Sequence, residues 1–198
     1  MLTLYHCPRT RSSRFLWLLE ELGVPYEVNV VDIRRRDGTG SLDPANPHPH
    51  GKVPAIDHDG VVVFESPAIA LYLTDAFPKN GIGPKIGDAK RGAYLSWLAY
   101  YGDVLEPSIV SKFLNVDVPR GTAGWVKAEE ACDFIADALS KGPYILGETF
   151  SAADVLFGSS FALFMNSPIL PGPERFKAYV ERVTARPACQ RAQAKDAG

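Results

Sequence analysis

The chain has 198 residues, of which 46% are hydrophobic and 22% are charged, and its formal net charge at pH 7 is -2. This length allows one large domain or two small ones with a buried core, and the near-neutral charge argues against nucleic-acid binding. Three widely spaced cysteines, Cys7, Cys132 and Cys189, indicate a reducing compartment rather than a disulfide framework. With no basic stretch or long apolar run near Met1, we expect a cytoplasmic protein without a membrane partner.

The first half of the chain predicts alternating strands and helices. We expect strands over residues 2–5, 26–31, 54–56 and 61–64, and helices over residues 10–22 and 66–77. Gly23 and Pro25 end the first of these helices. A strand, helix and strand in this order form a right-handed crossover to a parallel neighbour, and the last two strands form an antiparallel hairpin.

The second half of the chain predicts helices alone. A stretch rich in Gly, Pro and Lys after Pro78 marks a connection, and no strand pattern returns after Asp88. Helical patterns cover residues 89–114, 125–140, 152–164 and 174–184. Pro107 is expected to kink or end the first of them. We therefore predict one domain over residues 1–78, a linker over 79–88 and an all-helical domain over 89–198.

Two segments of the first half indicate a ligand site. Pro54 opens an apolar strand run, and because proline cannot donate a ladder hydrogen bond it belongs at a strand start, an edge or a tight turn. A cis bond before Pro54 would turn the Val53 N–H and C=O outward to pair with another peptide. Ser66, next to Glu65, is expected to N-cap the following helix, whose N-terminus favours a carboxylate. A small acidic peptide with a free amino end fits this site, and glutathione meets that description.

The motifs that carry this site resemble those of a known family. Gly-Lys-Val-Pro-Ala-Ile at 51–56, Phe-Glu-Ser-Pro-Ala-Ile at 64–69 and the first strand with the helix after it are similar to cytosolic glutathione S-transferases of the bacterial or fungal kind. The resemblance covers the whole chain, because Phe-Ser-Ala-Ala-Asp at 150–154 resembles the helix-capping motif of the family's second domain.

The resemblance implies a fold, a reaction and an assembly. The implied fold is the glutathione transferase fold, an α/β thioredoxin-like domain (βαβββα, mixed sheet) followed by an all-α domain. The implied reaction is conjugation of glutathione to small hydrophobic electrophiles, a detoxification activity with glutathione as co-substrate and no cofactor. Family members form homodimers that pair the first domain of one subunit with the second domain of the other. The helices that begin near Ser66 and Ala89 are candidates for that surface.

The family's ligand-binding residues can be transferred to this chain. The implied glutathione-binding residues are Thr10, Arg11, His50, Lys52, Val53, Pro54, Glu65 and Ser66. Glu65 would hold the amino end of the γ-glutamyl group and Ser66 its carboxylate, while the Val53 backbone pairs with the cysteinyl part. The alternatives are plain helix capping for this pair and an ordinary surface charge for Lys52. His50 and the nearby His48 lack a Cys or carboxylate ligand set, so we expect no metal site.

Activation of the glutathione thiol requires one strong hydrogen bond. The thiolate is the nucleophile, and lowering its pKa by about two units takes about 3 kcal/mol. A charge-assisted hydrogen bond supplies about 1.5–3 kcal/mol and a helix N-terminus about 0.3–1 kcal/mol, so one hydroxyl nearly suffices. Thr10, Ser12 and Ser13 lie at the start of the first helix. Alignment on Arg-x-Leu-Trp-Leu-Leu places Thr10-Arg11 where fungal-type transferases carry Ser-Arg; the alternatives are a helix cap and a solvated arginine.

Cys7 offers a competing reaction. Cys7-Pro8 resembles the Cys-Pro of glutaredoxins and omega-type transferases, where the start of the helix lowers the thiol pKa. This implies glutathione-dependent disulfide exchange or deglutathionylation, restricted to monothiol chemistry because position 10 is not cysteine. A third possibility is a non-catalytic module that binds glutathione or another protein.

Aromatic residues of the first helix of the second domain are candidates for the electrophile pocket. Trp97 is expected in the core, because an aromatic stripe at helical spacing is usually buried. Tyr94 and Tyr101 lie seven residues apart on one face. In the family this part of the helix faces the cleft, so we expect these two tyrosines to line the pocket, with core packing as the alternative.

Overall fold

The computed structural model describes residues 1–197. Its contacts divide the chain into two compact units. The first unit consists of Met1–Asn80 together with the segment from Pro187 onward, and the second unit is Gly81–Arg186.

The first unit contains a four-stranded mixed sheet. Its elements are β1 (Leu2–His6), α1 (Ser13–Leu22), β2 (Glu27–Val30), β3 (Ala55–His58), β4 (Val61–Phe64) and α2 (Ser66–Ala76). The strand order is β2-β1-β3-β4; β1 and β2 are parallel and the other two pairs are antiparallel. The βαβββα order and the mixed sheet confirm the predicted fold class.

Helix α1 is held by an almost fully buried apolar face, but it starts later than its periodicity predicts. Phe15, Leu18 and Leu19 are all 0% exposed. The expected start at Thr10 is three residues too early, because residues 10–12 form a turn in which the Ser13 N–H donates to the Thr10 carbonyl at 3.1 Å. Gly23 ends the helix as predicted, with φ of 61° and its N–H bonded to the Leu19 carbonyl at 3.0 Å.

The last helix of the chain, α8 (Pro187–Ala197), was not predicted. It packs on α1 and belongs to the first unit, whereas the sequence-based division placed residues 89–198 in the helical domain. Its sequence is polar apart from a narrow buried stripe that includes Cys189 and Ala192, so its hydrophobic pattern is weak. Ion pairs from Glu20 to Arg191 and Lys195, both at 2.6 Å, add to this packing.

The second unit is helical, as predicted. Its helices are α3 (Arg91–Tyr100), α4 (Glu106–Phe113), α5 (Ala128–Leu139), α6 (Ala152–Phe164) and α7 (Lys177–Thr184). A π-helical turn, Tyr101–Leu105, joins α3 to α4 directly before Pro107. The turn is closed by the Glu106 N–H, which donates to the Tyr101 carbonyl. The helical path therefore continues through Pro107, with its irregularity in the preceding turn.

Helix α6 is the buried centre of the second unit. Ser151 and Asp154 form the predicted capping box at its start. The Asp154 carboxylate also accepts the Ile145 N–H at 2.8 Å and the Tyr179 hydroxyl at 3.1 Å. None of the helices in residues 1–197 has both the length and the apolar character needed to cross a membrane.

Candidate functional site

The candidate site lies in the first unit, where the segment before β3 meets the N-terminal ends of α1 and α2. The Val53–Pro54 bond is cis, as the sequence predicted. Val53 is 9% exposed and packs in a small apolar cluster with Cys7 and Val31. Among the described residues, the Val53 N–H and C=O have no hydrogen-bond partner. This backbone edge can therefore pair with an extended peptide.

The start of α2 presents two polar side chains. The prediction that Ser66 is the N-cap is wrong: Glu65 is the N-cap, with φ of 70°, and Ser66 is the first residue of the helix, followed by Pro67. Ser66 is 8% exposed, and its hydroxyl makes no hydrogen bond within residues 1–197. The Glu65 side chain is 72% exposed. A hydroxyl donor beside a helix N-terminus suits a carboxylate, and the Glu65 carboxylate suits an amino group.

The loop before Val53 is ordered by His48. The His48 ring is buried, its Nδ1 accepts the His50 N–H at 3.1 Å, and its Nε2 lies 4.0 Å from Glu65 Oε1. Burial lowers the pKa of His48, against the Glu65 charge that raises it. The Lys52 carbonyl accepts the Asn46 amide at 3.0 Å, while the Lys52 and His50 side chains are exposed.

Three hydroxyl side chains lie where α1 begins, and they differ in what they can do. Ser12 is 0% exposed, and Ser13 donates to the carboxylate of Asp196 at 2.7 Å. Thr10 is half-buried, and its hydroxyl donates to the Cys7 carbonyl at 2.7 Å and lies 2.9 Å from Ser12 Oγ. Arg11 is exposed beside it. Thr10 is thus the hydroxyl that is both partly accessible and bonded only to neutral partners.

Cys7 is placed next to the peptide-pairing edge. It is 2% exposed, and its Sγ accepts a hydrogen bond from Arg35 Nη2 at 3.2 Å. The sequence analysis assigned Arg35 no role, because nothing local links it to Cys7. The other two thiols are also buried, Cys132 in the second unit and Cys189 on α8 of the first unit. Burial raises the pKa of each to about 11.

Two residues near the start of α1 were missed by sequence reasoning. His6, 2% exposed at the end of β1, places Nδ1 2.8 Å from Ser12 Oγ and Nε2 3.2 Å from Asp196 Oδ1. Asp196 lies near the end of α8 and also accepts the Arg9 N–H at 3.2 Å. The only signal for His6 in the sequence was a polar residue at the end of the first predicted strand. No local pattern pointed to Asp196.

Tyr94 and Tyr101, in the second unit, do not have the exposure expected of pocket residues. They are 0% and 1% exposed, and the Tyr101 hydroxyl lies 2.8 Å from Ser160 Oγ and also bonds Glu106. Side chains this buried offer no surface to a ligand, so both are core residues here. Trp97, expected in the core, is half-buried and stacks on Phe134.

Comparison with known proteins gives matches along most of the chain. The family models described as glutathione S-transferase, N-terminal domain, and glutathione S-transferase, C-terminal domain, match residues 1–75 and 118–182. The glutathione S-transferase 3 of Schizosaccharomyces pombe is 29% identical to this chain, over 98% of the chain and 88% of the relative.

Solved structures agree with these matches. A glutathione transferase from Methylococcus capsulatus has a TM-score of 0.79 and 27% identity, covering 100% of this chain and 99% of its own. A sphingomonad glutathione S-transferase, solved in complex with glutathione, has a TM-score of 0.77 and 26% identity, covering 98% of both chains.

Proposed function

Because the chain belongs to the glutathione S-transferase family, we propose that it binds glutathione in its first unit and conjugates the thiolate to small hydrophobic electrophiles. One observation carries the binding site: at the start of α2, the hydroxyl of the largely buried Ser66 makes no hydrogen bond to the residues described and is open to a ligand. A hydroxyl donor that is not used within the protein, at the N-terminus of a helix, can donate to a bound carboxylate.

The shape of glutathione matches the groups at this site. The Val53 N–H and C=O pair with its cysteinyl backbone, as in strand addition. Ser66 and the N-terminus of α2 hold the γ-glutamyl carboxylate, and the exposed Glu65 carboxylate holds the amino group. Lys52, His50 and Arg11 present exposed polar side chains near the two ends of the peptide. Pro54 sets the direction in which the Val53 backbone points.

Thr10 is our candidate for thiol activation. Its hydroxyl donates to the neutral Cys7 carbonyl, whereas the Ser13 hydroxyl donates to a carboxylate. Hydrogen bonds to charged acceptors are about twice as strong as those between neutral groups, so a thiolate competes well for the Thr10 proton but poorly for that of Ser13. This favours transfer chemistry that depends on Thr10, with Arg11 adding positive charge nearby.

A second candidate function rests on the surroundings of Cys7. Its sulfur contacts the Arg35 guanidinium and packs beside Val53, next to where the glutathione cysteinyl group would lie. A sulfur held at this position can take part in disulfide exchange with glutathione. The 2% exposure of Cys7 limits access of a disulfide, which is why we place conjugation first.

Calorimetric titration with glutathione tests the binding site. Glu65→Ala and Ser66→Ala are each expected to weaken binding by about 1–3 kcal/mol, the cost of removing a polar partner. Asp75→Ala, which removes an exposed carboxylate near the other end of α2, is the matched control and should bind normally. Unchanged affinity in both site variants would refute the site.

Turnover assays separate the possible functions. Conjugation of a generic aromatic electrophile, measured with glutathione present at saturating concentration, is expected for the wild-type protein. Tight glutathione binding without conjugation or disulfide exchange would instead identify a non-catalytic binding module.

A further inference from the structure

Four polar side chains of the first unit form a continuous chain that ends at Thr10. Asp196 Oδ1 lies 3.2 Å from His6 Nε2, and His6 Nδ1 lies 2.8 Å from Ser12 Oγ. Ser12 Oγ in turn lies 2.9 Å from Thr10 Oγ1. Each step is short enough for a proton to pass between neighbouring atoms.

This series of four side chains is buried along most of its length. His6 and Ser12 are 2% and 0% exposed, and the Asp196 side chain is 17% exposed. His6 Nε2 has no aligned hydrogen bond, although the Asp196 carboxylate is its close neighbour. A second proton on the ring would turn this contact into an ion pair, which is favourable at low dielectric.

We propose that Thr10, Ser12 and His6 relay the proton of the glutathione thiol to the His6 ring, where the Asp196 carboxylate stabilises the resulting imidazolium. This inference rests on the proposed function, since it supplies the acceptor for the proton that the thiol must lose. It concerns residues that act through Thr10, so His6, Ser12 and Asp196 are positioning residues and Thr10 alone contacts the thiol.

The proton balance of the relay is complete. The glutathione S–H bond breaks as a Thr10 O–H bond forms, and the original Thr10 proton passes to Ser12 Oγ. The original Ser12 proton passes to His6 Nδ1, so both hydroxyls remain neutral. In the product state the Nδ1–H donates to Ser12, Ser12 donates to Thr10, and Thr10 donates to the thiolate. No oxidant, reductant or further reactant is required.

The His6 ring is neutral in the resting state, so one ring nitrogen is open to a proton, and only the Asp196 charge favours the protonated ring. Burial lowers the pKa of His6, and the Asp196 charge opposes that shift, so the ring is neutral at neutral pH before glutathione arrives. The Thr10 hydroxyl donates to the Cys7 carbonyl at 2.7 Å in this state. Rotation about the Thr10 C–O bond turns this proton toward Ser12 Oγ and completes the hydrogen-bonded series from Thr10 to His6.

Two bonds that do not involve His6 hold the Asp196 carboxylate, at the end of α8, in place. Ser13 Oγ donates to Asp196 at 2.7 Å, and the Arg9 N–H donates at 3.2 Å. Ser13→Ala removes one of these bonds but leaves every atom of the relay in place, so it separates the anchoring of the carboxylate from the relay itself.

The wild-type protein gives the first test. Nitrogen NMR of the histidine rings, with and without saturating glutathione at neutral pH, reports the protonation of His6, assigned with His6→Gln. We expect its pattern to change from neutral imidazole to imidazolium when glutathione binds. A ring that stays neutral while the bound thiol is ionised would overturn the relay.

Variants give the second test, read as the ultraviolet absorbance of the bound thiolate against pH. Asp196→Asn and His6→Gln should raise the apparent pKa of the bound thiol by about one unit, about tenfold less thiolate below that pKa. Glutathione affinity measured below the pKa of the bound thiol should stay within about twofold, since neither residue is in the binding site, and circular dichroism checks folding. Ser13→Ala, which weakens the anchoring of the carboxylate but keeps the relay atoms, should raise that pKa less than either relay variant does.

The outcomes distinguish this inference from the proposed function. A wild-type protein that fails to bind or conjugate glutathione refutes the proposed function. Normal binding and turnover, with unchanged thiolate titration in both relay variants, refutes the relay alone. An equal shift in Ser13→Ala would also refute it, because loop anchoring would then explain the effect.

Discussion

The hydroxyl of Ser13 donates to the carboxylate of Asp196 at 2.7 Å, although 183 positions separate the two residues. This bond joins the first turn of α1 to the end of α8. The loop that carries Cys7 and Thr10 is therefore supported from the far end of the chain. Any change that loosens α8 is expected to reach the thiol-activating loop.

Acid should weaken the attachment of α8. Burial acts to raise the pKa of Glu20, but its bonds to Lys195, Arg191 and Tyr26 hold that pKa at about 2, below its usual 4.5. A carboxylate with a lowered folded-state pKa contributes stability above its unfolded pKa and loses it as pH falls through the folded pKa. Urea titrations should show the free energy of unfolding falling between about pH 4.5 and 2, and Glu20→Gln should flatten that fall. An identical pH slope in Glu20→Gln and the control Glu27→Gln would contradict this.

Backbone strain at Glu65 should be separable from its ligand contact. A non-glycine residue at φ of 70° costs about 1–3 kcal/mol, and glycine adopts this conformation freely. Glu65→Gly is expected to raise the free energy of unfolding by about 1 kcal/mol while weakening glutathione binding. Glu65→Ala should lose the binding without the gain. Equal stability of the two variants in urea denaturation would show that the site carries no relievable strain.

Thr10 and Cys7 variants should decide the reaction. Thr10→Ala removes the donor to the thiolate, so it is expected to raise the apparent pKa of turnover and to slow conjugation at neutral pH, whereas Thr10→Ser restores both. Cys7→Ser should change conjugation little. A pH–rate profile with Cys7→Ser inactive and Thr10→Ala normal would reverse the assignment. Intact-mass analysis after treatment with oxidised glutathione would then show one adduct, at Cys7.

We expect the protein to be a homodimer, and strand β4 offers an exposed apolar surface for the contact. Val61 and Val62 on this edge strand are 52% and 40% exposed. Val62→Glu should shift sedimentation at micromolar concentration toward the monomer, because an interface must then bury a charge. Val28→Glu, at a residue 41% exposed on the opposite edge strand β2, is the control. A wild-type protein that sediments as a monomer would refute the dimer.

Asp154 should be the most sensitive polar residue of the second unit. Burial raises its pKa to about 6, and the Ile145 N–H, the Ser151 N–H and the Tyr179 hydroxyl all donate to its carboxylate. Asp154→Ala leaves these buried donors unpaired and should cost about 3 kcal/mol or more of stability. Asp133→Ala, which breaks an exposed ion pair with Arg175, should cost less than about 1 kcal/mol. Thermal unfolding that ranks them the other way would contradict this.

Local patterns in the sequence were enough for most of the fold. The patterns of apolar residues located every strand and all six predicted helical segments, and Pro54 indicated the cis bond. The errors are local as well. The sequence analysis assigned the Thr10 turn to the helix and Ser66 to the N-cap. Both errors have one cause, because a polar residue before an apolar run gives the same pattern whether it lies before the helix, at the N-cap or at the first helical position. The start of α8 lacked an apolar period and was missed.

The candidate glutathione site was predictable in the same way, because Val53, Glu65 and Ser66 lie in two short motifs whose chemistry is carried by the backbone and by adjacent side chains. The roles of Tyr94 and Tyr101 were not predictable, because helical spacing shows that two residues share a face of the helix but not what packs against that face. Burial of both rings was decided by the packing of the second unit.

The sequence by itself determined the family, the order of elements and the backbone groups offered to a ligand, since these depend on residues close together in the chain. Only the tertiary structure decided that Asp196 reaches His6, that Arg35 contacts Cys7 and that α8 packs on α1. These contacts join residues whose separation in sequence carries no periodic or compositional signal. The contacts of α8 exist because burial of the α1 face brings the two ends of the chain together.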